Sequence, residues 1–169
     1  MKFKCEKGTK AYEMMKALTD KANAVRQSAS AFAKEFGCTQ WYSQRWYLWG
    51  GIEALILPQN SPIPDGWRKS NDYPGNAIVP NKKTLLGKEI NDRMDKLDGV
   101  ERRELNNCVN KNFTYFSNPG LKIPSDDCFL ISYDDDWGMP TVEGWQEITT
   151  TEYNQIIERQ KETGKSLAS

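Results

Sequence analysis

Between Thr9 and Gly37, apolar side chains recur every third or fourth position, at Tyr12, Met15, Leu18, Ala22, Val25, Ala29, Phe32 and Phe36. This is the period of one face of an α-helix. It predicts a long helix over residues 8–37, closed by Gly37, because glycine takes the left-handed conformation that ends helices. Such a helix would run ~40 Å, more than a small domain needs for its own core. Its near-heptad stripe therefore has two readings: a core helix lying across a sheet, or in part a contact with a second copy of the chain.

After Cys38 the pattern changes. The run Trp41-Tyr42-Ser43-Gln44-Arg45-Trp46-Tyr47-Leu48-Trp49 holds three of the six tryptophans in nine residues. Read as one extended strand, it puts Trp41, Ser43, Arg45, Tyr47 and Trp49 on one face and Tyr42, Gln44, Trp46 and Leu48 on the other. Both faces carry rings, whereas a half-buried strand alternates apolar with polar. Two readings stay open. Both faces are core, or one or two rings beside Arg45 stack on a nucleobase, worth ~1–3 kcal/mol per base. Gly50-Gly51 suits a two-residue hairpin turn, with Ile52 to Leu57 as the returning strand.

Prolines 58, 62, 64, 74 and 80 with Gly66 and Gly75 predict an irregular functional loop over residues 58–83. Thr84 begins a helix through Leu85, Leu86, Ile90, Met94 and Leu97, and Asp98-Gly99 separates it from a second helix over Val100 to Asn110. Both are expected on one sheet face. Phe113 to Phe116 and Cys128 to Tyr133 read as strands of a meandering antiparallel sheet, parted by the turn Asn118-Pro119-Gly120. Thr149 and Glu152 form a capping box ahead of Tyr153, Ile156 and Ile157, the signature of a final helix, with residues 165–169 as a frayed tail. Together these give a single α+β domain over residues 1–169, with a long N-terminal helix, an antiparallel sheet with an aromatic hairpin, two middle helices and a C-terminal helix.

Composition narrows the chemistry. At 169 residues the chain can bury a core without metal or disulfide staples. Lysine and arginine balance aspartate and glutamate, 23 against 23, so no global field recruits a nucleic acid polymer or an anionic membrane. The start Met1-Lys2-Phe3-Lys4-Cys5-Glu6 is too charged for a signal peptide, and no apolar run approaches a membrane span, so the expected location is the cytoplasm. Cys5, Cys38, Cys108 and Cys128 lack the paired spacing of zinc or redox motifs and are expected as reduced core residues. The chain has no histidine, which removes the usual general base, the serine and cysteine triads and imidazole metal sites. A non-enzymatic protein without cofactor or resident metal is expected.

Two local basic clusters remain. In Pro64-Asp65-Gly66-Trp67-Arg68-Lys69, Arg68 offers a planar fork for phosphate oxygens, Lys69 a mobile charge and Trp67 a π face. The bland reading is a turn whose tryptophan plugs the core beside solvated cations. In Pro80-Asn81-Lys82-Lys83-Thr84 the cations and the Thr84 hydroxyl precede a helix N-terminus, which favours an anion. A P-loop is not formed, and a solvated helix cap is the bland alternative. The acidic residues Asp126-Asp127 and Asp134-Asp135-Asp136 match no calcium loop and read as a solvated turn rather than a metal site.

At the Gly66-Trp67-Arg68 and Pro80-Asn81-Lys82-Lys83 segments, with the lysine-rich start, the aromatic hairpin and the stretch Trp145 to Tyr153, the chain resembles small proteins encoded by tailed bacteriophages. Accessory proteins of that kind include anti-defence sponges, of anti-CBASS or anti-Thoeris type, which bind a bacterial immune nucleotide signal such as a cyclic oligonucleotide or a cyclic ADP-ribose derivative and withhold it from its effector. The resemblance implies a non-catalytic homo-oligomer in the host cytoplasm with a nucleotide as its partner. On that expectation Trp41, Trp46 or Trp67 stacks on bases, Arg45, Arg68, Lys69, Lys82 and Lys83 neutralise phosphates, and Thr84 donates to a phosphate. The competing expectation is a protein-binding inhibitor or adaptor in which the same tryptophans and arginines are interface hot spots.

Overall fold

The apolar stripe read from the sequence lies on one face of a long helix, α1 (Lys10–Glu35). Tyr12, Met15, Leu18, Ala22, Val25, Ala29 and Phe32 are all buried, and Phe36 packs on the core edge. The chain itself covers this stripe, so the stripe is not an open seam for a second copy. These observations come from a computed structural model, which describes residues 1–109, 128–132 and 139–168. The fold class is α+β, as the patterning predicts. Its contacts fall into two compact units, Met1–Thr19 with Arg102–Ser169, and Asp20–Glu101, and α1 runs through both.

In the first unit, β1 (Lys2–Glu6) is the central strand of an antiparallel sheet in the order β8–β1–β9, with β8 at Cys128–Ser132 and β9 at Gln146–Ile148. The charged start hides a strand: Phe3 and Cys5 alternate with Lys2, Lys4 and Glu6, and only the apolar pair is buried. The C-terminal helix α4 (Thr150–Ala168) covers Cys128 and Leu130 with Tyr153 and Ile156. Its cap is the one expected, since the Glu152 N–H donates to the Thr149 hydroxyl over 3.1 Å. The Glu152 side chain, however, accepts from Lys4 at 2.9 Å instead of closing the capping box. The helix is described as far as Ala168. The helix α3 (Arg102–Val109) completes the unit, and the Trp145 indole N–H donates to the Cys108 carbonyl at 3.0 Å.

The second unit departs further from the sequence reading. The aromatic run is two strands, not one: β2 (Gln40–Ser43) and β3 (Tyr47–Gly50), separated by a turn in which the Tyr47 N–H donates to the Gln44 carbonyl at 2.9 Å. The returning strand β4 (Ile52–Ile56) pairs with β2, while β3 turns away to pair with β7 (Gly99–Glu101). Gly50 and Gly51 do take positive φ, 74° and 54°, but they redirect the chain between two ladders instead of closing a tight hairpin. Residues 58–83 are not wholly irregular either. They contain β5 (Trp67–Lys69) and β6 (Ala77–Pro80), which extend the sheet in the order β2–β4–β6–β5. The helix α2 (Leu85–Asp95) is capped by Thr84 and buries Ile90 and Met94 in a core shared with Phe32, Leu55, Trp67 and Ile78.

The helix α2 packs on β6 within the second unit, and α3 belongs to the first. Among the described residues the single meandering sheet is replaced by three separate antiparallel sheets. Cys5, Cys38, Cys108 and Cys128 are free and buried. No helix of the described residues is long and apolar enough to cross a membrane. The expected strand at Phe113 to Phe116, the turn at Asn118-Pro119-Gly120 and the acidic residues Asp126-Asp127 and Asp134-Asp135-Asp136 lie outside the described residues.

Candidate functional site

The β5–β6 hairpin and the loop into α2 bring the two basic clusters together. Arg68 of β5 stands opposite Val79 of β6, and the chain leaving β6 carries Lys82 and Lys83 immediately before Thr84. Arg68, Lys82 and Lys83 line one cleft of about 340 Å³. Its other walls are Glu53 of β4, Asp72 and Tyr73 of the β5–β6 loop, and Asn91 and Met94 of α2. All three cations are exposed side chains, so the cleft offers a positive rim to solvent.

The supports under these residues are ordered by local hydrogen bonds. The Asn81 N–H donates to the Gly66 carbonyl at 2.7 Å, which ties the basic loop to the start of β5. The Asn81 side chain accepts from the Lys83 N–H at 3.2 Å. Thr84 accepts from the Gly87 N–H at 3.0 Å and donates its own proton to the Asn81 carbonyl at 2.9 Å. The hydroxyl expected to donate to a phosphate is thus spent on the cap. The expected site at the mouth of the helix becomes a cleft along its side.

The aromatic wall is Tyr73, which sequence reasoning did not single out. Its ring stacks on Tyr42 with centroids 5.2 Å apart and planes at 20°. The Tyr42 hydroxyl donates to the Pro74 carbonyl at 2.8 Å, and the Asp72 N–H donates to the buried Ser70 hydroxyl at 3.3 Å. Together these hold the loop that carries Asp72 and Tyr73. The Tyr73 hydroxyl is pushed up to about 12, first by desolvation and then by the hydrogen bond it donates to Glu53. The Tyr73 hydroxyl and the Glu53 carboxylate thus face the same cleft. The sequence signal for Glu53 was its place as the one acid in the apolar strand Ile52-Glu53-Ala54-Leu55-Ile56. The signal for Tyr73 was a tyrosine ahead of Pro74-Gly75 in a hairpin loop.

The remaining candidate residues lie elsewhere. Trp67 is a core residue, 5 % exposed, with its ring 5.0 Å from Phe36 and 6.2 Å from Phe32, so it cannot stack on a ligand in this fold. Trp41 packs on the edge of the same core. Arg45 and Trp46 sit at the tip of the turn between β2 and β3, with the guanidinium 5.2 Å from the indole centroid and Trp46 64 % exposed. Lys69 lines a second hollow of about 310 Å³ with Leu57, Asn60 and Asn76. Among the described residues no group of three or more Cys, Asp or Glu side chains is placed to hold a metal ion. Compared with protein families, curated proteins and solved structures, the chain finds no match in any of the three.

Proposed function

We propose that this chain binds a small phosphorylated ligand of the nucleotide class in the cleft between β5, β6 and α2, and sequesters it without converting it. The observation that carries the reading is the convergence of Arg68, Lys82 and Lys83, from segments 14 residues apart, on one cleft that also has a tyrosine wall. Guanidinium and ammonium groups suit phosphate oxygens as a fork and as point charges, and a fixed ring suits a base. The volume lies at the lower end of small-molecule pockets, roughly 300–1,000 Å³. That suits one nucleoside phosphate unit better than two. A sequence without histidine favours holding the ligand over acid–base turnover. Sequestration of a nucleotide immune signal, as in the phage sponges, is the biological form of this activity that we propose.

Thermal shift with nucleoside monophosphates, ADP-ribose, cyclic ADP-ribose isomers and cyclic dinucleotides tests it, since a ligand at a hundred times its Kd adds about 2.7 kcal/mol. A ligand-selective rise is expected, lost in the Arg68→Ala, Lys82→Ala, Lys83→Ala triple variant and retained in Trp46→Ala. A panel that leaves the melting temperature unmoved counts against the reading. A second reading, a protein-binding inhibitor, is favoured by the Arg45–Trp46 tip, whose exposed indole is the residue type of an interface hot spot. Under that reading Trp46→Ala, not the triple variant, removes binding.

A further inference from the structure

We infer that the carboxylate side of the cleft, Glu53 with Asp72, recognises the vicinal hydroxyls of a ribose, so that the ligand is a ribonucleotide whose 2′ and 3′ hydroxyls are both free. This rests on the phosphate-binding reading above and narrows it. A pocket for a bare polyanion would be lined by cations alone, because a carboxylate near a phosphate repels it. Here Glu53 and Asp72 share the walls with Arg68, Lys82 and Lys83. The ligand must then bring hydrogen-bond donors together with its negative charge, since ionised carboxylates only accept.

Glu53 reaches the cleft through a break in the sheet. Tyr42 is paired with Ala54 but the next residue, Ser43, is paired with Ile52, so Glu53 is the extra residue of a β-bulge. A bulge re-aims a side chain that regular pleating would commit to one face. The re-aimed carboxylate shares the cleft wall with Tyr73, whose hydroxyl donates to it, and Tyr73 is itself held by its stack on Tyr42. One donor leaves further lone pairs of the carboxylate open to a ligand. A positioned acid accepting from a ribose hydroxyl is how dinucleotide-binding folds hold their adenosine. The consequence is a preference within the nucleotide class. A 3′–5′ linked cyclic dinucleotide has its 3′ oxygen esterified and offers no free diol, whereas nucleoside 5′-phosphates and ADP-ribose do.

Calorimetric titration of the full chain with the four ribonucleoside 5′-monophosphates, followed by the 2′-deoxy and 3′-deoxy analogues of the tightest, tests the inference. Each deoxy analogue is expected to bind roughly tenfold or more weakly, the worth of a hydrogen bond to a charged group. In Glu53→Gln, which is isosteric and at an exposed position, this difference should shrink, and in the Glu53→Gln, Asp72→Asn double variant disappear, while the preference for the phosphate over the free nucleoside remains. Tyr73→Phe should give an intermediate loss, because it frees the carboxylate without removing it. Equal affinity for ribo and deoxy forms in the wild type, with binding still abolished by the Arg68, Lys82 and Lys83 alanines, overturns the diol inference and leaves the phosphate reading standing. Failure of all four monophosphates to bind, with a cyclic dinucleotide still raising the melting temperature, also overturns the diol inference alone, and failure of every ligand of the thermal-shift panel overturns both.

Discussion

Single residues decide whether the cleft has its shape, and Gly87 is the clearest case. An interior helical glycine is ordinarily improved by alanine, by up to about 1 kcal/mol. Gly87, however, lies under the Asn81 carbonyl, and a Cβ there would run into that backbone oxygen and the Thr84 hydroxyl. The same carbonyl accepts from the Thr84 N–H at 3.0 Å and from its hydroxyl at 2.9 Å, so it cannot retreat without breaking the cap. Gly87→Ala is therefore expected to cost about 1–3 kcal/mol, the usual range for overpacking, and to shift the loop that carries Lys82 and Lys83. Urea unfolding checks the sign, and a stabilised alanine variant would show that the loop is looser than described. None of this is legible in the sequence. A glycine in Leu85-Leu86-Gly87-Lys88 announces only a weak spot in a helix, because the group it must clear is brought over it by the turn at Asn81.

Between elements, the join of α1 to α2 rests on an ion pair as well as on the core. Arg93 donates two hydrogen bonds to Glu35, at 3.0 and 2.6 Å, and its guanidinium lies 5.3 Å from the Phe32 ring centroid. The hydrogen bonds from Arg93 hold the Glu35 carboxyl below its usual range. A lowered carboxyl pKa stabilises the fold above the unfolded value and loses that contribution as pH falls through the folded one. The loss should thus begin around the ordinary glutamate value of 4.5 and continue downward. Both partners are about half exposed, so the pair is worth no more than about 1 kcal/mol. Denaturant midpoints across the acid range should fall less steeply in Glu35→Gln than in the wild type, and identical profiles would assign the slope to other carboxylates. The elements themselves were largely readable. The period of α1, the Thr84 and Thr149 caps and the strand at Cys128 are properties of local sequence. The division of the aromatic run was not, because Gln44-Arg45-Trp46 bears no glycine or proline to mark a turn. What splits it is the pairing of Tyr47–Gly50 with Gly99–Glu101, some fifty positions later.

For the molecule as a whole, burial separates the inert groups from those available for chemistry. Burial pushes the Cys5 thiol up to about 12 and the Cys108 thiol to about 11, and raises Cys38 as well. Since the thiolate is the reactive form, these three cysteines should resist iodoacetamide in the folded protein at neutral pH and react fully once it is denatured. Peptide mass spectrometry reads this directly, and rapid labelling of Cys5 in the native protein would contradict the central placement of its strand. Arg68, Lys82 and Lys83, by contrast, are exposed side chains on the cleft of the second unit. That is where the proposed binding, and its loss in the Arg68, Lys82 and Lys83 variant, belongs.

By itself the sequence determined the α+β class, the long helix and its apolar stripe, the helix caps, the free buried cysteines and the lack of any histidine, because each follows from local periodicity or from composition. Tertiary structure alone decided that Phe3 and Cys5 lie in a central strand and that Trp67 is core. It also decided that Arg68, Lys82 and Lys83 share their cleft with Glu53 and Tyr73. Those outcomes depend on pairings between distant segments and on one β-bulge, and the residues that set them are ordinary in their own neighbourhoods.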